Sequence, residues 1–327
     1  MNKYIFYPGC SMEDNARSYY TSLMAIKDGI DIELQEIEDW NCCGATEYFS
    51  VNQLPAYALV SRNLALAQEQ AKGLNSIVAP CSACYLNLSK TEHYLSENKD
   101  LNQTINQALH AGGMKYNPGS MKVQHLLDVI NNDVGLEKVK QQVTKPLKGL
   151  RIAPYYGCLI LRPDVNDRWS TPESHTALED LLEALGATVV DYPMKAECCS
   201  GHMPQIDRDT AYELIRHLVG GAENQDADVI ATLCPMCQLN LDMYQKEVNR
   251  YFGTKFKIPV LYITQLMGLA FGLAPDDLGI GSEFVSARDA LAKIGTELPD
   301  DEVKLKRKTT KNEGLPMPVM PNEKKER

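Results

Sequence analysis

The chain has 327 residues, 44% of them hydrophobic and 23% charged, and a formal net charge of −10. This is an ordinary globular composition with length enough for two domains, and its acidic balance excludes non-specific binding to nucleic acid. Met1-Asn2-Lys3 opens no secretion signal, and the longest apolar run, 258–274, is too short and too polar for a membrane span.

The first half alternates short β-rich runs with helical ones. Tyr4–Tyr7 reads as a strand ending at Pro8-Gly9-Cys10, and Ile30–Ile37 runs toward Cys42. Pro55 opens a helical stretch over Ala56–Lys72 that Gly73 stops. Ser76–Ala79 is a strand delivering Cys81, 86–120 is polar and mostly helical or irregular, and His125–Ile130 is a helix closing the half. Lys145–Gly149 is the linker. Beyond it, Leu150–Ala153 is a strand leading to Cys158, and Thr171-Pro172-Glu173 caps a helix that runs to Leu185. Thr188–Tyr192 is a strand pointing at Cys198, Ala211–Gly220 a helix, and Asp228–Leu233 a strand delivering Cys234. After Pro275 the pattern fades into a basic run and a proline-containing tail.

All ten cysteines fall into two ordered sets. Cys10, Cys42-Cys43-Gly44 and Cys81-x-x-Cys84 make the first, and Cys158, Cys198-Cys199-Ser200-Gly201 and Cys234-x-x-Cys237 the second. Flanking residues repeat too: Cys84-Tyr-Leu-Asn-Leu matches Cys237-Gln-Leu-Asn-Leu. The expected fold class is therefore α/β, with two duplicated cysteine-rich α/β domains, each with a short parallel sheet, related by pseudo-two-fold symmetry. The boundaries are 1–145 and 149–275, and 276–327 is a C-terminal extension, flexible or docking on a partner. The cysteines follow strands, where open α/β sheets place ligands.

In a reducing cytoplasm, the expected location, such cysteines are metal ligands or redox thiols rather than disulfides. Structural zinc takes four ligands, commonly from two CxxC pairs. Here each half offers one CxxC, an adjacent Cys-Cys pair is awkward for one ion, and a thiol is left over. A thioredoxin-like dithiol explains Cys81/Cys84 or Cys234/Cys237 but not the other six cysteines. The compact ferredoxin run is absent. Five thiols from three loops suit a larger or irregular iron–sulfur site.

The doubled pattern resembles the cysteine-rich (CCG) domain of the heterodisulfide reductase B subunits and their relatives, over roughly residues 1–275. The resemblance implies two non-cubane [4Fe-4S] clusters. One would be held by Cys10, Cys42, Cys43, Cys81 and Cys84, and the other by Cys158, Cys198, Cys199, Cys234 and Cys237. It implies an oxidoreductase acting on sulfur groups, which reduces or forms a disulfide of small thiols between the two clusters. Its partners would be a ferredoxin-like iron–sulfur subunit of the C type and a flavoprotein of the A type. The alternative is an electron-transfer or anchoring role in a succinate-, lactate- or glycolate-oxidising complex. One departure is Ser200, where the family often has glycine.

His202, directly after the second Cys-Cys loop, is the candidate catalytic proton donor. Arg17 and Arg162 follow Cys10 and Cys158 and serve charge balance or an anionic substrate group. The duplication further predicts that the Cys-Cys loops of the two halves face one another across a cleft.

Overall fold

Short runs such as Ile77-Val78-Ala79 and Val229-Ile230-Ala231-Thr232 are buried throughout, as parallel strands covered by helices on both faces must be. In the first half, β1 (Asn2–Phe6), β2 (Ile32–Glu36), β3 (Ser76–Ala79) and β4 (Lys122–His125) form one parallel sheet in the order β2-β1-β3-β4. The second half repeats it with β5 (Arg151–Tyr155), β6 (Thr188–Val189), β7 (Val229–Thr232) and β8 (Val260–Tyr262), in the order β6-β5-β7-β8. The computed structural model describes residues 1–45, 48–163 and 175–296. The duplicated α/β architecture is thus the one that the cysteine repeat predicts. The start of the helix expected at Thr171 lies outside the described residues.

Two strands differ from expectation. His125, read as the start of a helix, closes β4, and the helical turns begin at Leu126. Four residues with one β-branched side chain carry little strand signal, and the strand exists because it pairs with all of β3. β8 was hidden at the head of the apolar run 258–274, whose remainder forms the helix Ile263–Ala270.

Alternation along each strand divides the core in two. Along β1 and the residue after it, Tyr4 and Phe6 belong to one cluster, and Ile5 and Tyr7 to the other. The cluster containing Tyr4 and Phe6 continues through Leu23, Ile26, Ile152, Leu261, Leu266 and Met267, so it is shared by both halves. At its centre the helix Arg17–Ile26 packs on the helix Ile263–Ala270. Tyr19 stacks on Tyr262 there with ring centroids 4.2 Å apart, and the Ser22 and Thr264 hydroxyls meet at 2.6 Å. Each fully buried leucine in such an interface stabilises by about 1.5–3 kcal/mol. The halves are therefore held by a core of their own and not by the linker alone.

Packing does not stop where the sequence pattern fades. Within 276–296, the Phe284 and Val285 amides donate to the buried Asp242 carboxylate at 2.8 and 2.9 Å. Leu278 is fully buried, and Gly295 N–H donates to Lys148 O at 2.7 Å. The compact unit runs from Met1 to Thr296.

Candidate metal centre

Strand order fixes where a ligand can sit. From β1 the chain crosses to β2 on one side and returns to β3 on the other, which opens a crevice at the carboxyl ends of β1 and β3. Cys10 follows β1 and Cys81 follows β3; Cys158 and Cys234 follow β5 and β7 in the same way. The Cys-Cys pairs arrive from the loops after β2 and β6.

The ten cysteine side chains form one row. Cys10 and Cys42 Sγ are 3.5 Å apart, and Cys43 and Cys84 Sγ 3.4 Å. Looser side-chain interactions join Cys42 to Cys43 and Cys84 to Cys81. Cys81 then interacts with Cys234 of the other half. From Cys234 the row continues through Cys237, Cys199 and Cys198 to Cys158, in the mirrored order. Among the described residues no three His, Cys, Asp or Glu side chains converge as the ligands of a single ion do.

Exposure is graded along the row. Cys81, Cys84, Cys234 and Cys237 are buried at its centre, with Cys43 and Cys199, whereas Cys10, Cys42 and Cys198 are exposed. Cys10 and Cys42 line a recess of about 710 Å³ with Trp40 and the carboxylates of Glu13, Glu36, Glu38 and Asp39. The first site is thus open to solvent at its outer end. Between the two cysteine sets, the CxxC loops meet, Cys81 beside Cys234. The reason is positional: the CxxC loops leave the central strands β3 and β7, next to the shared core.

The same supports recur in both halves. The Tyr7 hydroxyl donates to Asn41 O at 2.7 Å, and Tyr155 to Glu197 O at 2.8 Å, each the carbonyl before a Cys-Cys pair. Burial first, then the nearby cysteines, push both phenols far above their usual range, so they are neutral donors. Asn87 Nδ2 donates to Cys43 O and Asn240 Nδ2 to Cys199 O, both at 3.0 Å. Gly9 and Gly157 leave room for sulfur: an added Cβ would stand 2.8 Å from Cys84 Sγ and 2.9 Å from Cys237 Sγ.

Ser200 keeps the shape of its loop at a cost. Its φ is +78°, close to the +62° of Gly44, its counterpart after Cys43. A side chain in that region costs on the order of 1–2 kcal/mol. Asn240 Nδ2 also donates to Gly201 O at 2.7 Å, which helps hold the strained turn.

Crowding governs the electrostatics. Hydrogen bonds, from Cys10 to Cys42, from Cys158 to Cys198 and from Cys237 to Cys234, hold the three acceptors well below the usual thiol range. Hydrogen bonds to neighbouring sulfurs, and then burial, push the other seven thiols up. Ten sulfurs at this spacing cannot all ionise unless cations arrive, and metal coordination deprotonates thiols outright. The donor set, soft and sulfur-only, fits iron–sulfur chemistry, and Gly9 and Gly157 keep room for the Cys84 and Cys237 sulfurs in it.

The remaining candidates sit on the segments that flank the cysteines. His202 is half-buried at the start of the short helix Met203–Ile206, with its carbonyl accepting from Gln205 N–H at 3.1 Å. Arg17 is exposed and lines a recess with Glu13 and Glu36. Arg162 is exposed, and its amide donates to Cys158 O at 2.9 Å.

Two matching parallel α/β halves that meet at a row of ten cysteines define a duplicated cysteine-rich α/β class. The model of the cysteine-rich domain (CCG) matches residues 4–89 and 152–242. The chain belongs to this family, together with the heterodisulfide reductase B subunits. It is 33% identical to the 8-methylmenaquinol:fumarate reductase membrane anchor subunit of Wolinella succinogenes, over 87% of this chain and 98% of that one. It is 31% identical to the B subunit of the ferredoxin:CoB-CoM heterodisulfide reductase of Methanosarcina mazei, over 90% and 97%. A hypothetical protein from Helicobacter pylori shares the fold, with a TM-score of 0.67 and 12% identity over 87% of this chain and 52% of that one.

Proposed function

We propose that the chain is the iron–sulfur subunit of an oxidoreductase complex, with one non-cubane [4Fe-4S] cluster in each half. The first is held by Cys10, Cys42, Cys43, Cys81 and Cys84, the second by Cys158, Cys198, Cys199, Cys234 and Cys237. The substrate is a disulfide of small thiols, cleaved to two thiols by two electrons and two protons, or formed by the reverse. The observation that carries this reading is the interaction of Cys81 with Cys234, which joins the two five-cysteine sets. When bound, the clusters supply electrons one at a time, and a paired centre suits a bond that needs two. The chain's own residues position the ligands through Tyr7, Tyr155, Asn87 and Asn240. They also admit small molecules at the Cys10–Cys42 recess. His202, by its place next to the second Cys-Cys loop, is the candidate proton donor.

Electrons enter from partners of the ferredoxin-like and flavoprotein kinds, and the complex is cytoplasmic. No helix among the described residues is long and apolar enough to cross a membrane. A second reading, electron relay without disulfide chemistry, is favoured by the Wolinella succinogenes relative. Adding a panel of small thiols to anaerobic, oxidised protein separates the two. Disulfide chemistry predicts a new electron paramagnetic resonance signal from a cluster. A protein with full iron content and an unchanged spectrum with every thiol is a relay.

A further inference from the structure

Three buried hydroxyls on the elements that carry the CxxC loops, or next to them, have no hydrogen-bond partner among the described residues. Tyr262, at the end of β8, is 1% exposed, and among the described residues its hydroxyl has no hydrogen-bond partner. Thr232, its partner in the β7–β8 register, is fully buried with an equally unpartnered Oγ1. Ser82 Oγ, on the residue after Cys81, is a third. Buried polar groups are almost always hydrogen-bonded, so a buried hydroxyl left without a partner beside these cysteines is open to an acceptor.

Tyr262 is also tied to the first half. Its ring lies against Tyr19 at an interplanar angle of 8°. The Tyr19 hydroxyl donates to Pro80 O at 3.1 Å, with Leu233 O at 3.5 Å. Those carbonyls belong to the residues just before Cys81 and Cys234, so the stacked pair touches both CxxC loops. Tyr262 itself stands within electrostatic range of Cys234, Cys81 and Cys237.

We propose that Tyr262 is a positioning residue for the paired centre, whose hydroxyl donates a hydrogen bond to sulfur at the Cys81–Cys234 junction once the clusters are held there. The proposal rests on the cluster reading above. Hydrogen bonds to cluster sulfur stabilise the reduced, more negative state, so this donor raises the reduction potential of the cluster it reaches. Tyr19 holds the ring in place and keeps the two loops in step.

Y262F tests this, because it keeps the ring and its stack and removes one hydroxyl. The metal-free variant should melt at or above the temperature of the metal-free parent, since an orphan donor is lost. The iron-loaded variant should retain the parent's iron. At the potential where half of the affected cluster is reduced in the parent, its ratio of reduced to oxidised cluster should fall about tenfold, a 59 mV shift for one electron. Retained iron with an unchanged redox titration overturns the proposal, as does a metal-free variant that melts well below its parent. A parent protein that binds no iron overturns instead the reading beneath it.

Discussion

Replacing Cys43 by serine should remove about half of the iron, roughly four of eight atoms per chain if each half holds a four-iron cluster. Cys43 is buried, and its Sγ lies 3.4 Å from Cys84 Sγ, between the exposed end of the first set and its buried end. A serine hydroxyl is a poor substitute for thiolate toward iron. The backbone around it is unaffected by the change: Cys43 O still accepts from Asn87 Nδ2. The second set, with its own five thiols, should load as before. Cys199→Ser should give the reciprocal result, with the other cluster's spectrum surviving. Iron per chain and the resonance spectra of the two variants are the readouts. Loss of all iron from a folded variant would mean that the two sets assemble only as one unit across the Cys81–Cys234 junction.

Gly9→Ala should be nearly as damaging, although it removes no ligand. Gly9 has φ 76° and ψ 155°, a region open almost only to glycine. Forcing a side chain there costs on the order of 1–3 kcal/mol. The new Cβ would also stand 2.8 Å from Cys84 Sγ, so Cys84 must leave its place in the row. The expected result is a lowered melting temperature together with loss of the first half's iron. Gly73→Ala is the control, since Gly73 also has positive φ, +93°, but nothing within 4 Å of an added Cβ. It should destabilise and keep all its iron. Equal iron in both variants would show that close approach to Cys84 is not what Gly9 provides.

Much of this arrangement was legible in the residues. Cysteines are the least ambiguous letters in the chain, and their doubled spacing announced the duplication that the two matching sheets repeat. The strands that deliver them were legible because Ser76–Ala79 and Asp228–Leu233 are short apolar runs abutting a cysteine. β4 and β8 were not, because Lys-Val-Gln-His and Val-Leu-Tyr acquire their conformation from pairing with β3 and β7. Asn87 and Asn240 were visible as part of the shared Leu-Asn-Leu but carry no chemical signature until the fold brings them to Cys43 and Cys199. Tyr19 and Tyr262 lie 243 positions apart, and only the packing of the helix Arg17–Ile26 against the end of β8 and the helix after it brings them together. Ser200 looked like a departure from the glycine pattern, and the backbone there nevertheless keeps the left-handed turn.

What the ten thiols hold separates iron–sulfur clusters from zinc. Protein purified without oxygen should be brown and contain about eight irons per chain with a similar amount of acid-labile sulfide, as two thiolate-held four-iron clusters require. Stoichiometric zinc with no labile sulfide would contradict the cluster reading.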